Sequence, residues 1–254
     1  DRSPSRGLGD VYKRQIWEAM KESICLGLNA EGIIPGKLQL SKRAKSIYNN
    51  KIENEPTEVK RTRLLTAYAY AVSETNASGG EIVTAPTCGS CGVLPATLYY
   101  LQKEDKYTDE EIINALATAG IIGNIVKTNA SISGAECGCQ AEIGTACSMA
   151  AAACSQLRKL DIYKIEHAAE IAMEHHLGLT CDPIYGYVQI PCIERNAVAA
   201  IRAMDASNIS MLLDENQKIS FDLITETMYE TGKDLRSHYR ETSTCLLYTS
   251  PSPR

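Results

Sequence analysis

The chain has 254 residues, 44% of them hydrophobic and 22% charged, with a formal net charge of −5. This suits one large or two small globular domains around a real core. An acidic balance without a Lys/Arg-rich run argues against a nucleic-acid partner, and the longest apolar runs, such as residues 146–153, are far too short to span a bilayer.

In chain order, residues 1–15 are polar and without periodicity, as is the Ser/Pro-containing stretch 245–254. Both are read as artefactual tails, which leaves 16–244 as the domain. Residues 61–74 carry Leu64, Leu65, Tyr68 and Val72 as an apolar helical stripe. A helix is expected to begin near Val93, with Pro95 in its first turn. Thr108 and Glu111 form a capping-box pattern ahead of Ile112, Ile113, Leu116 and Ala119. Residues 145–160 are nearly all small, the mark of a buried helix packed closely on its neighbours. Residues 161–177 read as a helix stopped at Gly178, with His175 and His176 on its surface. Helices at 194–213 and 221–236 complete the set. Strand signals are weak and confined to 81–84 and 185–190. The predicted fold is mainly α: a bundle of about eight helices, with Gly/Cys-rich loops forming the site.

Those loops are 76–95, 129–144 and 178–192. They hold most of the chemistry-bearing residues, as connecting segments often do. The chain has ten cysteines in Ala- and Gly-rich surroundings and no apolar signal segment ahead of them. A reducing, cytoplasmic setting follows, with thiols that are buried, metal-bound or catalytic. In the first loop, Gly89 and Gly92 permit close backbone approach, and Thr84, Thr87 and Ser90 offer hydroxyls. With the helix start at Val93 this composes an anion site or a plain capping turn. Cys88 and Cys91 form a C-x-x-C pair, but no βαβ pattern surrounds it. A zinc site would need a second pair, and Cys137 and Cys139 supply only a C-x-C. The second loop presents Lys127, Asn129, Ser131, Ser133, Glu136, Cys137, Cys139 and Glu142, either as a site lining or as a solvated loop. In the third loop Cys181 precedes Asp182 and Pro183, and Cys192 follows Pro191. The prolines set each thiol at a defined bend. Their spacing matches no local ferredoxin pattern, and any one of these cysteines also suits a small buried hydrophobe.

Five stretches carry a resemblance. They are EGIIPGKL (31–38), NASGGEIVTAPT (76–87), NASISGAECGCQAEIGTACSMAAA (129–152), GLTCDPIYGYVQIPCIERNAVAAI (178–201) and HYRETS (238–243). In this order they resemble the α chain, or catalytic domain, of the iron–sulfur-dependent L-serine dehydratases, also called L-serine ammonia-lyases. The resemblance implies a 4Fe–4S cluster held by Cys139, Cys181 and Cys192, with one iron open as a Lewis acid. It implies deamination of L-serine to pyruvate and ammonia without pyridoxal phosphate. Within that frame, Thr84, Thr87, Gly89 and Ser90 are candidates for the substrate carboxylate, with Asn129 and Ser133 as further substrate contacts. Arg195 is a second carboxylate candidate. Lys127 and Glu136 are candidates for the base, and His238 lies in the last matching stretch. Cys88, Cys91 and Cys137 depart from the family pattern and are not expected as ligands. A β chain or β domain, and a homo- or hetero-oligomer, are implied as partners. Two alternatives stand beside this reading: a metal or redox module using Cys88 and Cys91, and a related β-eliminating lyase acting on L-cysteine or L-threonine.

Overall fold

The structure, a computed structural model, describes residues 4–214 and 217–240, with side chains described from residue 9. The stretch 245–254 and the end of the HYRETS match lie outside the described residues. Ten α-helices are present among them: α1 (Pro4–Asn29), α2 (Ala44–Asn49), α3 (Thr57–Ala77), α4 (Val93–Glu104), α5 (Asp109–Asn129), α6 (Gly134–Cys137), α7 (Thr145–Leu157), α8 (Ile162–Glu174), α9 (Cys192–Leu212) and α10 (Phe221–Asp234). Eight of them have a dozen residues or more, and α2 and α6 are short connecting turns. Helix α1 runs through most of the segment 1–15 that was set apart as a tail. No strand occurs among the described residues, where an isolated bridge pairs Ile33 with Ser41. The two weak strand signals therefore resolve as loop. Residues 184–190 close on themselves, with the Ile184 N–H donating to the Ile190 carbonyl and Tyr185 at φ 55°. Residues 81–84 run without a ladder partner.

Helix boundaries follow local chemistry. The Thr108 hydroxyl accepts the Glu111 N–H at 3.3 Å while the Glu111 carboxylate accepts the Thr108 N–H at 2.9 Å. This is the reciprocal cap predicted for α5. Asp161 and Ser220 cap α8 and α10 through the N–H groups of Lys164 and Leu223. Helix α4 begins at Val93, with Pro95 in its first turn where no intrahelical N–H is required.

Helix α7 is the centre of the bundle. Every residue in it except Gln156 is buried, and it packs on α4, α5, α8 and α9. Its run of Ala, Ser and Cys lets four helices come close. The buried polar atoms have partners: Ser148 donates to the Ala169 carbonyl at 2.7 Å and Ser155 bonds Ser207 at 2.8 Å. Helix α3 is buried well beyond its predicted stripe, over Ala67 to Thr75. Glu74 lies inside and accepts the N–H groups of Arg43 and Ala44 at the start of α2. At the contact between α1 and α3, Gly27 faces the Ala71 backbone so closely that a Cβ there would overlap it.

The two histidines at the end of α8 differ. His175 is exposed, as expected, but His176 is buried. Gly144 lies opposite, where a Cβ would stand 3.2 Å from the His176 Cβ. The ring faces the Ala172 carbonyl through Nδ1 at 2.6 Å. Burial, the main cause, pushes its pKa down from 6.5 to about 4. Between those values the unfolded chain binds more protons than the folded one. Stability should therefore fall as pH drops from about 6.5 through 4, by about 3 kcal/mol from this group. Urea unfolding at stepped pH, compared between the parent and His176→Leu, isolates the contribution. A variant with the parent's slope across that window would contradict the assignment.

Candidate metal centre

The first loop is tied to its neighbours at both ends. The amide of Asn196, on the first turns of α9, donates to the Gly89 carbonyl at 2.7 Å and to the Cys192 carbonyl at 2.8 Å. Its oxygen accepts the Gly92 N–H at 2.8 Å. One buried side chain thus joins the start of α4 to the start of α9. The Cys91 and Val93 N–H groups bond the Cys88 and Ser90 carbonyls. The donors around the start of α4, from Cys91 to Val93, are thus already engaged within the protein. The carboxylate that meets this loop belongs to the chain itself. The Thr87 hydroxyl donates to Glu142 Oε1, and a Cβ at Gly89 would overlap the Glu142 carboxylate.

The second loop delivers Glu142 together with a thiol. Gly138 has φ 75°, with the Leu179 carbonyl 2.9 Å from where a Cβ would lie, so the turn requires glycine. One π-helical turn, Gln140–Gly144, follows and leads into α7. Such turns are rare and occur often at functional sites. This one puts Cys139 Sγ 3.9 Å from Glu142 Oε2. Gln140 is fully buried and holds the turn in place. Its Nε2 donates to the Met228 carbonyl of α10 at 2.8 Å, and its Oε1 accepts the Gly178 N–H at 2.7 Å. The Gln140 N–H donates to the Leu179 carbonyl at 3.1 Å. The third loop is thereby registered against the second.

That registration brings Cys181 into the same place. Its N–H donates to the Tyr239 carbonyl at 2.8 Å. Arg195 spans the loop from α9, donating to the Thr180 carbonyl at 2.6 Å and pairing with Asp182 at 3.5 Å. The sulfurs of Cys139 and Cys181 and a carboxylate oxygen of Glu142 all lie within 4.8 Å of one another. Both thiols are buried. A Cβ on Gly134 would fall 3.0 Å from Cys181 Sγ and 3.3 Å from Glu142 Oε2, so glycine leaves this space open. Two sulfurs and a carboxylate are donor chemistry for a transition metal. The group fits a thiolate-ligated metal on those grounds.

The remaining sequence candidates fall around this knot in different ways. Cys192 is buried at the first turn of α9, outside the 4.8 Å group and joined to its rim through Asn196 and Gly89. Ser90 is buried and bonds Thr87 at 3.0 Å, a brace for the loop. Thr84, Lys127 and Asn129 are exposed, the last two in the final turn of α5. Glu136 is exposed, with its carboxylate accepting from Ser131 at 2.5 Å. The Ser133 N–H bonds Ser131 at 3.1 Å. Arg195, engaged as above, acts as a loop brace. The His238 ring rests on Tyr239, centroids 4.0 Å apart. Cys137 is buried against Gly232 of α10. Cys88 is exposed and Cys91 buried, and they form no disulfide. Burial, then the neighbouring Cys88, Glu142 and Cys192, hold the Cys91 thiol above its usual range. Cys91 is a wall of the site. Glu142 stood in the sequence as one of eight polar residues of its loop. Its place three residues after Cys139 was the signal that it shares a face with that thiol.

A model of the serine dehydratase alpha chain family matches residues 9–248. The chain belongs to that family. It is 48% identical over 239 residues to an L-serine dehydratase of Haemophilus influenzae, covering 92% of this chain and 52% of that protein. It is 49% identical over 240 residues to an L-serine dehydratase of Escherichia coli, with the same coverage. The L-serine dehydratase of Streptomyces coelicolor is 45% identical over 230 residues, covering 90% of this chain and 50% of that protein. The chain spans about half the length of these relatives. In this serine dehydratase alpha chain the loop frame can be tested directly. Asn196→Ala removes three hydrogen bonds and strands the buried Gly92 N–H. It should cost about 3 kcal/mol in urea unfolding. A cost below about 1 kcal/mol would show that the Asn196 bridge does not hold the loops.

Proposed function

We propose that this chain is the catalytic alpha portion of an L-serine ammonia-lyase that releases pyruvate and ammonia. The reading is carried by the meeting of two buried thiols, Cys139 and Cys181, from separate loops, in a chain of the serine dehydratase alpha family. Cys192, tied to the same rim, is the proposed third ligand of a 4Fe–4S cluster. When bound, the cluster supplies a Lewis-acidic iron that makes the serine hydroxyl a better leaving group.

The chain's own residues supply the rest. Thr84, Asn129 and Ser133 are proposed donors to the substrate, while Thr87, braced by Ser90, donates its hydroxyl to Glu142 instead. Gly89 keeps the mouth of the site clear of side chain. Of the two base candidates, Glu136 is better supported. It lies on α6, whose Gly134 abuts Cys181 and Glu142, and Ser131 fixes its carboxylate. Glu136 would take the α-proton as the C–O bond breaks and water departs. The resulting enamine tautomerises and is hydrolysed to pyruvate and ammonia. The relatives' greater length supports a further β domain or β chain as partner, in a homo- or hetero-oligomer. No helix among the described residues is long and apolar enough to cross a membrane, and the cytoplasm is the proposed setting.

The test uses the full-length protein, reconstituted anaerobically with iron and sulfide. Pyruvate release should be fastest from L-serine, with L-threonine and L-cysteine slower. Thiolate-to-iron charge-transfer absorption should accompany it, and Cys139→Ser, Cys181→Ser and Cys192→Ser should each abolish both. Absorption absent with iron and sulfide in excess would overturn the cluster. Faster turnover of cysteine or threonine would reassign the substrate. Glu136→Gln should lower kcat by about a hundredfold while leaving KM for serine nearly unchanged. An unchanged kcat would remove Glu136 from the role.

A further inference from the structure

Glu142 faces the first loop and the thiols at once. Its two oxygens face different partners. Oε1 takes the Thr87 hydroxyl, which fixes the carboxylate's rotation. Oε2 is turned toward Cys139 Sγ, 3.9 Å away, and toward Gly134. Cys181 Sγ lies in the same 4.8 Å group. Cys192 does not.

A tetrahedral zinc with Zn–S of about 2.3 Å and Zn–O of about 2.0 Å needs donor atoms about 3.4–3.8 Å apart. The Cys139, Glu142 and Cys181 donors lie within 4.8 Å of one another, with Cys139 Sγ and Glu142 Oε2 at 3.9 Å, close to that range. The space it encloses is kept open by two glycines, since a Cβ at Gly89 would overlap the carboxylate and one at Gly134 would crowd Cys181 Sγ and Oε2. The donors also come from rigid settings: a π-helical turn that runs straight into α7, and a loop bend pinned through Gln140 and Tyr239. Metal-binding geometry is most reliable on such supports.

We propose that Cys139, Cys181 and Glu142 form a binding site for a single borderline divalent cation, Zn2+ or Fe2+, that does not use Cys192. The inference rests on the cluster reading for what occupies this end of the bundle in the working enzyme. The single-ion site itself comes from the three side chains. It gives the metal-free chain a place for one ion before sulfide and further iron are present, and it makes zinc a competitor for that place. The balance is simple. The ion displaces to the buffer whatever protons its three donor groups carry, and no electron moves.

The experiment titrates Zn2+ alone into the metal-free full-length protein, anaerobically and without sulfide, against a chromophoric chelator. One equivalent should bind. Cys192→Ser should leave the affinity within about twofold, while Cys139→Ser and Cys181→Ser should lose the site. Glu142→Gln should weaken it by at least the ten- to hundredfold seen when only a ligand's neighbour is removed. Zinc-edge X-ray absorption on the parent, which needs no variant to fold, should show two sulfurs at about 2.3 Å and oxygen at about 2.0 Å. Three sulfurs, a requirement for Cys192, or undiminished affinity in a folded Glu142→Gln protein would overturn the proposal. Failure of cluster assembly with zinc binding intact would overturn the cluster reading and leave this one standing.

Discussion

A carboxylate and two thiols within 4.8 Å of one another, with both thiols buried, form an arrangement that water does not stabilise. Each group that ionises raises the cost of ionising the next. Hydrogen bonds or a cation must compensate. Thr87 supplies one bond to Glu142 Oε1, and the Cys139 thiol faces Oε2. The loops around this point are shaped to hold it. Gly89 and Gly134 give up side chains, Gly138 turns the chain at positive φ, and Gln140 and Asn196 use buried amides to hold adjoining segments in register.

The bundle beneath serves the same end. Small residues along α7 allow α4, α5, α8 and α9 to approach it closely, which brings the starts of α4, α7 and α9 near one another. The π-helical turn at Gln140–Gly144 then sets Cys139 and Glu142 on a common side at the head of the most buried helix. Precision at the site is inherited from packing density in the core. A loop alone could not provide it.

Much of this was legible in advance because it depended on local chemistry. The cap at Thr108, the start of α4 at Val93 and the buried α7 follow from short-range pattern. The three loops stood out by composition. What escaped was set by contacts distant in sequence. His176 reads as a helix-end surface residue until Gly144 opens a pocket opposite it. Asn196 looks like one polar residue on an amphipathic helix, though its partners Gly89 and Gly92 lie over a hundred positions earlier. The segment 185–190 shows β-forming residues, but a left-handed Tyr185 and a hydrogen bond from Ile184 to Ile190 fold it onto itself. Glu142 was visible only as charge, and its place beside Cys181 depends on Gln140 fixing the third loop. The family resemblance grouped Cys139, Cys181 and Cys192, which no spacing rule had joined. The fold brings the first two together, and Asn196 ties the third to their rim.

The central claim is that metal chemistry belongs to Cys139, Cys181 and Cys192 and not to the C-x-x-C pair that first draws the eye. Anomalous diffraction at the iron edge, from crystals of the anaerobically reconstituted full-length protein, tests it most directly. Iron should appear in the space between the three loops, within bonding distance of the Cys139, Cys181 and Cys192 sulfurs. Iron bound instead at Cys88 and Cys91 would contradict the claim.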